Sequence, residues 1–195
     1  MGKPPGDRVP YHFAYLFTMK YKLFEPALVL TVFVLDRLVK FFTLKHLCHQ
    51  SVPVLSFFRL TYVQNTGVAF GMFRDSNSFF IVFSALLIAA LLIFRKKLPD
   101  LSASGARAFS WRHPGSPAAA AFAQRAGLAL VLGGALGNLY DRLVYGFVVD
   151  LFDLSFFPAV FNVADSAITA GAVLLAIGLN TGQGAAAATR GGTKV

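Results

Sequence analysis

Residues Phe79 to Phe94 form a run of sixteen in which Ser84 is the only polar side chain. A helix that is apolar on every side has nowhere to stand except the interior of a large protein or a lipid bilayer. Three further apolar stretches follow the same pattern, at about Ala27–Leu44, Ala126–Tyr140 and Phe161–Leu179. A bilayer core is crossed by about 20 helical residues, and each stretch reaches that length with its flanks. Composition decides between the two settings. The chain has 195 residues, 56% apolar and 14% charged, against about 25% charged in an ordinary soluble domain. Too few polar side chains are present to coat four such helices in water. We therefore expect one all-α integral membrane domain over residues 1–195, with spans at about 25–44, 77–95, 122–142 and 160–180.

The formal net charge is +9, which in a soluble protein would point to nucleic acid. Here the basic residues fall in short clusters between apolar runs, with no basic stripe interleaved with aromatics, so no nucleic-acid partner is expected. Their distribution sets orientation instead. Lys3, Arg8, Lys20 and Lys22 precede the first span. Arg95, Lys96, Lys97, Arg107, Arg112 and Arg125 lie between the second and third, and Arg190 and Lys194 follow the fourth. The opposite side holds only Lys45, Arg59 and Arg74. This bias of 12 to 3 predicts cytoplasmic N- and C-termini. No uninterrupted apolar region precedes Lys20, so a cleavable signal peptide is not expected.

The segment 98–120 is rich in Ser, Ala, Gly and Pro and reads as a cytoplasmic linker. The Gly/Ala-rich tail 181–195 reads as disordered. The outer loop Ser51–Phe73 is β-branched and aromatic, with an Asn65-Thr66-Gly67 turn signal, and predicts a small sheet between the first two spans. No internal repeat is apparent.

An ionisable residue inside a span costs about 2.5–3.5 kcal/mol on insertion scales and marks function by default. Asp36 and Lys40 stand i, i+4 in the outer half of the first span and can pair. Asn138, Asp141 and Arg142 lie at the outer end of the third. Asp150 and Asp153 follow in a short outer loop. Asn162 and Asp165 share a face in the first turns of the fourth span, and Asn65 sits in the outer loop. All fall on one side of the bilayer, which predicts a polar pocket open to the outer leaflet. A transporter or proton pathway would carry polar residues through both halves, and a purely structural membrane partner would not explain the clustered carboxylates.

His46 and His49 stand i, i+3 but read as solvated rather than as metal ligands. No metal and no cofactor is expected. One cysteine excludes a disulfide framework, and Cys48 has no recognisable base, so it reads as a packing residue. No Gly-x-Ser-x-Gly elbow or Ser-x-x-Lys pair supports a serine nucleophile. Two carboxylates sharing a site can do acid–base work on water, because one stays protonated while the other ionises. Asp36 is committed to Lys40, Asp141 to Arg142 or another cation, and Asp153 to solvent. Asp150 and Asp165 remain. The alternative is that all five acids pair with cations or cap helices.

Four stretches carry a resemblance: Asp36-Arg-Leu-Val-Lys40, Val63-Gln-Asn-Thr-Gly-Val-Ala-Phe-Gly71, Gly133 to Asp150 and Phe161-Asn-Val-Ala-Asp-Ser-Ala-Ile168. In this order, over roughly residues 25–180, the chain resembles bacterial signal peptidase II, the lipoprotein signal peptidase family. The resemblance implies a four-span aspartyl endopeptidase of the inner membrane with a small periplasmic β-cradle and no cofactor. Such an enzyme removes signal peptides from diacylglyceryl-modified prolipoproteins, cutting before the lipid-modified cysteine. By motif it implies Asp150 and Asp165 as catalytic, with Asp36, Lys40, Asn65, Asn138, Arg142 and Asn162 lining or supporting the site. The expected partners are the prolipoprotein and membrane lipid, and the enzyme is expected to be monomeric. The N-terminal extension, the long linker and the tail depart from the family pattern, and the Asp150–Asp165 connection is short for it.

Overall fold

The computed structural model describes residues 11–48, 50–67, 77–99 and 116–191. Four helices and three strands alternate along them: α1 (Tyr11–His46), β1 (Ser51–Leu55), β2 (Phe58–Asn65), α2 (Asn77–Arg95), α3 (Pro117–Val144), β3 (Val148–Leu154) and α4 (Val163–Gly191). The protein is thus mostly helical, with one small antiparallel sheet.

The helices are dressed for lipid. Leu86 on α2 is 65% exposed, Ile93 64%, and Leu30 on α1 62%. In water each such side chain would forgo roughly 1.5–3 kcal/mol of burial; against hydrocarbon it forgoes nothing. By length and composition α2, α3 and α4 can each cross a membrane. α1 is not among them, since its apolar run also carries Asp36, Arg37 and Lys40.

α3 is the central helix and packs most closely on α4. A Cβ on Gly127 would stand 2.6 Å from the Gly171 carbonyl oxygen, and one on Gly171 equally close to that of Gly127. Only glycine at both positions lets the backbones approach this far, the small-residue packing typical of membrane helices. Pro117 opens α3 behind the Ser116 cap, whose hydroxyl accepts from the Ala119 amide. At the other end Tyr145 donates its amide to the Asp141 carbonyl, and Gly146 takes a φ of 81°. That left-handed residue turns the chain sharply into β3.

The sheet order is β1-β2-β3, antiparallel throughout. β1 and β2 lie between α1 and α2, where a sheet was expected. The third strand was not: β3 comes from the segment after α3 that read as a loop, and it pairs Val63 with Asp150 and Asn65 with Val148. The sheet therefore joins two distant parts of the chain. α1 begins well before residue 25, with Pro26 inside it, and α4 continues to Gly191 through part of the tail expected to be disordered. The four alanines from Ala185 to Ala188 have the highest helix propensity of any residue. Of the linker 98–120, residues 100–115 lie outside the described residues, as do His49 and residues 68–76 before α2.

Candidate active site

Four charged side chains interlock where α1 crosses α3. Lys40 reaches Asp36 at 3.1 Å and Asp141 at 2.7 Å. Arg37 pairs with the same two acids, with Asp36 at 2.6 Å. Asp36, Lys40 and Asp141 are all 1% exposed or less. Two cations against two acids leave no uncompensated charge, which buried ions require. The Arg37 guanidinium also lies 4.7 Å from the Tyr140 ring centroid and donates to the Gly137 carbonyl. A Cβ on Gly137 would stand 2.6 Å from Asp36 Oδ2, so a glycine is needed there.

The cluster accepts from two backbone amides outside it. Asp36 Oδ1 accepts from the Ala164 amide at 3.0 Å, and Asp141 Oδ2 from the Val149 amide at 3.1 Å. Ala164 immediately precedes Asp165, and Val149 immediately precedes Asp150. A closed set of charges is thereby bonded to the backbone just before each acid.

Asp165 stands at the third position of α4, behind Asn162 as cap. The Asp165 amide donates to Asn162 Oδ1 at 2.9 Å, and the Asn162 amide donates back to Asp165 Oδ2 at 3.3 Å. This is the reciprocal geometry of a capping box. Asp165 Oδ1 accepts from Asn138 Nδ2 at 2.7 Å. Lys40 decides how that amide points: its ammonium donates to Asn138 Oδ1 at 2.9 Å, which turns the Asn138 NH2 toward Asp165.

Asp150, on β3, is 1% exposed. Asn162 Nδ2 donates to its Oδ1 at 2.6 Å, and Asn65 Nδ2 to its Oδ2 at 2.9 Å. Asn65 is fixed in turn by the Gly67 amide, which donates to Asn65 Oδ1 at 3.1 Å. The register makes Asn65 a diagonal cross-strand neighbour of Asp150. Burial, and then the nearby Asp165 charge, push the Asp150 carboxyl up to about 7, against the lowering effect of its bonds to Asn65 and Asn162 and of Lys40.

Asn162 thus bonds both Asp150 and Asp165 and holds the two acids together. Beside them opens a cleft of about 640 Å³, with Asn65, Arg142 and Asp165 on its polar side and Phe156, Phe157 and Phe161 among its apolar walls. The Arg142 guanidinium lies 5.1 Å from the Phe80 ring centroid.

The structure brings all eight candidates, Asp36, Lys40, Asn65, Asn138, Arg142, Asp150, Asn162 and Asp165, into one neighbourhood. Asp141 pairs with Arg37 and Lys40 rather than with its neighbour Arg142. Asp153 is half-buried and accepts from the Thr61 hydroxyl at 3.1 Å, so it does not simply face solvent. Cys48 is exposed, which corrects its reading as a packing residue: it lies just past the end of α1, where none of the described elements covers it. Arg37 was missed as a site residue. As a third ionisable side chain inside the first apolar run, it carried the same insertion-cost signal as its neighbours.

A mostly helical shell with exposed apolar side chains surrounds the acid pair, and solved structures share the fold. The chain matches a bacterial membrane enzyme solved by the in meso method at 1.9 Å with TM-score 0.61 and 26% identity, over 80% of this chain and 91% of that one. A second bacterial membrane enzyme, solved by the same method at 2.3 Å and 24% identical, shares the fold at TM-score 0.62 over 80% of this chain and 86% of that one. The chain belongs to the signal peptidase II family, whose model, described as "Signal peptidase (SPase) II", matches residues 28–181. It is 42% identical to a lipoprotein signal peptidase of Caldanaerobacter subterraneus over 76% of this chain and 92% of the relative. It is 38% identical to the lipoprotein signal peptidase of Halothermothrix orenii over 75% of this chain and 88% of that one. Membership of a peptidase family does not favour the transporter reading.

Proposed function

We propose that Asp150 and Asp165 are the catalytic pair with which this aspartic endopeptidase removes signal peptides from diacylglyceryl-modified prolipoproteins, cutting before the lipid-modified cysteine. The observation that carries the assignment is Asn162, whose side-chain amide donates to the Asp150 carboxylate and whose backbone amide donates to the Asp165 carboxylate. One carboxyl is ionised and takes a proton from water as the oxygen attacks the scissile carbonyl carbon. The other is protonated and donates to the carbonyl oxygen. The proton then passes to the leaving amine as the C–N bond breaks, with no covalent intermediate. A raised pKa at Asp150 supplies an acid that is protonated near neutral pH.

In this reading Asn65, Asn138 and Asn162 hold the pair, Asp36 and Lys40 support it from below, and Arg142 meets substrate in the cleft. All four helices span the bacterial inner membrane with both termini inside, and the cleft and sheet face the periplasm or exterior. There, a membrane-held signal peptide enters sideways while water reaches the acids. The monomer is the working unit, and the phenylalanine walls of the cleft suit the two acyl chains. The test is cleavage by purified protein of a diacylglyceryl-modified prolipoprotein beside the same precursor without lipid. Cleavage confined to the lipidated precursor is expected. Equal cleavage of both would contradict the lipid requirement, and no cleavage of either would contradict the activity.

A further inference from the structure

A second apolar cleft, of about 630 Å³, lies between α1, α2 and α3. Its walls include Val29, Leu30 and Phe33 of α1, Leu92 of α2 and Leu132 of α3. From Glu25 to Phe33 it follows the helix axis for about 12 Å, at 1.5 Å per residue. Its outer walls stand open: Leu30 is 62% exposed and Leu92 50%. Phe33 is the last α1 residue along the cleft, and its ring packs edge-on against Tyr140 at 6.0 Å.

The other end is charged. Glu25, 7% exposed, joins three helices: Oε2 accepts from Arg95 Nε at 2.6 Å, and Oε1 pairs with Arg125. Arg125 spends its remaining donors on the Leu98 and Pro99 carbonyls. Arg95 is different. It meets Glu25 through Nε while its side chain stays 45% exposed, and Lys96 and Lys97 beside it are exposed too. Among the described residues Glu25 is the one acid of this group, against Arg95, Lys96, Lys97 and Arg125, so these side chains together carry net positive charge.

We propose that this slot binds one anionic glycerophospholipid of the membrane, with an acyl chain along Val29–Phe33 and the phosphate against Arg95, Lys96 and Lys97. The inference rests on the reading that these helices span the bilayer. An acyl chain suits the cleft's apolar walls and its open outer side. The charge selects the headgroup: cationic pockets between membrane helices favour anionic lipid over zwitterionic.

The test uses full-length protein, purified and delipidated in detergent, then offered phosphatidylglycerol or phosphatidylcholine with identical acyl chains, with bound lipid counted by native mass spectrometry. Wild type should retain phosphatidylglycerol about tenfold better, the scale expected of a few basic side chains at a membrane surface. Arg95→Gln with Lys96→Gln and Lys97→Gln should abolish that preference. Leu92→Trp, which fills the slot from its exposed wall, should reduce retention of both lipids. Equal retention by wild type, an unchanged preference in the triple variant, or no retained lipid because another part of the chain fills the slot would each overturn the proposal. The same samples are assayed for prolipoprotein cleavage, so a failed peptidase reading registers separately from a failed lipid site.

Discussion

Asp36 accepts a hydrogen bond of 3.0 Å from the backbone amide of Ala164, one residue before Asp165 and 128 positions away in sequence. Asp141 makes the matching bond to Val149, one residue before Asp150. Both acids belong to the cluster closed by Arg37 and Lys40. The distance between the two proposed catalytic carboxylates is thus tied to an ion network that need not touch substrate.

Breaking this network from one side should hurt more than dismantling a pair. Arg37→Met leaves two buried acids facing Lys40 alone, and losses of about 3–5 kcal/mol are typical for one partner removed from a buried pair. Arg37→Met with Asp141→Asn should lose less than the sum of the two single variants in a thermal or denaturant unfolding assay. Strict additivity would show that the two residues are not coupled.

Gly137→Ala tests the close approach of α1 and α3. The new Cβ would stand 2.6 Å from Asp36 Oδ2, so the carboxylate or the helix must move. A destabilisation of about 1–3 kcal/mol is expected from overpacking, with reduced turnover because Asp36 no longer holds the Ala164 amide. Wild-type stability and turnover together would refute the contact.

The raised carboxyl of Asp150 makes stability depend on pH with a defined sign. Its ordinary value is 3.8, and in the folded protein it lies at about 7. Between these values the native state holds a proton that the unfolded chain has released. Stability therefore falls as pH rises from about 4 to about 7, and the loss is complete above the folded value. Asp150→Asn should flatten this fall, measured as unfolding midpoint against pH. An unchanged slope would contradict the burial argument.

Cys48 is the single cysteine and is exposed. A membrane-impermeant maleimide should label it on intact cells if the end of α1 faces outward, and Cys48→Ser should keep most activity. Labelling only after lysis would reverse the proposed topology.

Much of this was legible because it is local. The i, i+4 spacing of Asp36 and Lys40 and the i, i+3 spacing of Asn162 and Asp165 place each pair on one helix face. What stayed hidden is long-range. Val148-Val-Asp-Leu-Phe-Asp-Leu154 has no clean alternation, and its strand state depends on pairing with β2, far earlier in the chain. The partners of Asp141 come from α1 by the same long reach, and the sequence left open whether they would be Arg142 or another cation. Glu25 lay at the edge of an apolar run beside Pro26 and drew no notice, yet it is buried between two arginines.

The most direct measurement is cleavage of diacylglyceryl-modified prolipoprotein by purified wild type, Asp150→Asn, Asp165→Asn and Asp153→Asn, each checked for folding and substrate binding. If Asp150 and Asp165 share the acid–base work, each amide variant should lose at least about 10³-fold in turnover while still binding substrate, since one positioned acid or base contributes 10²–10⁴. Asp153→Asn, at a carboxylate that accepts from Thr61 on the sheet, should stay within about tenfold of wild type on the same scale. Near wild-type turnover in a correctly folded Asp150→Asn or Asp165→Asn would contradict the assignment of the catalytic pair.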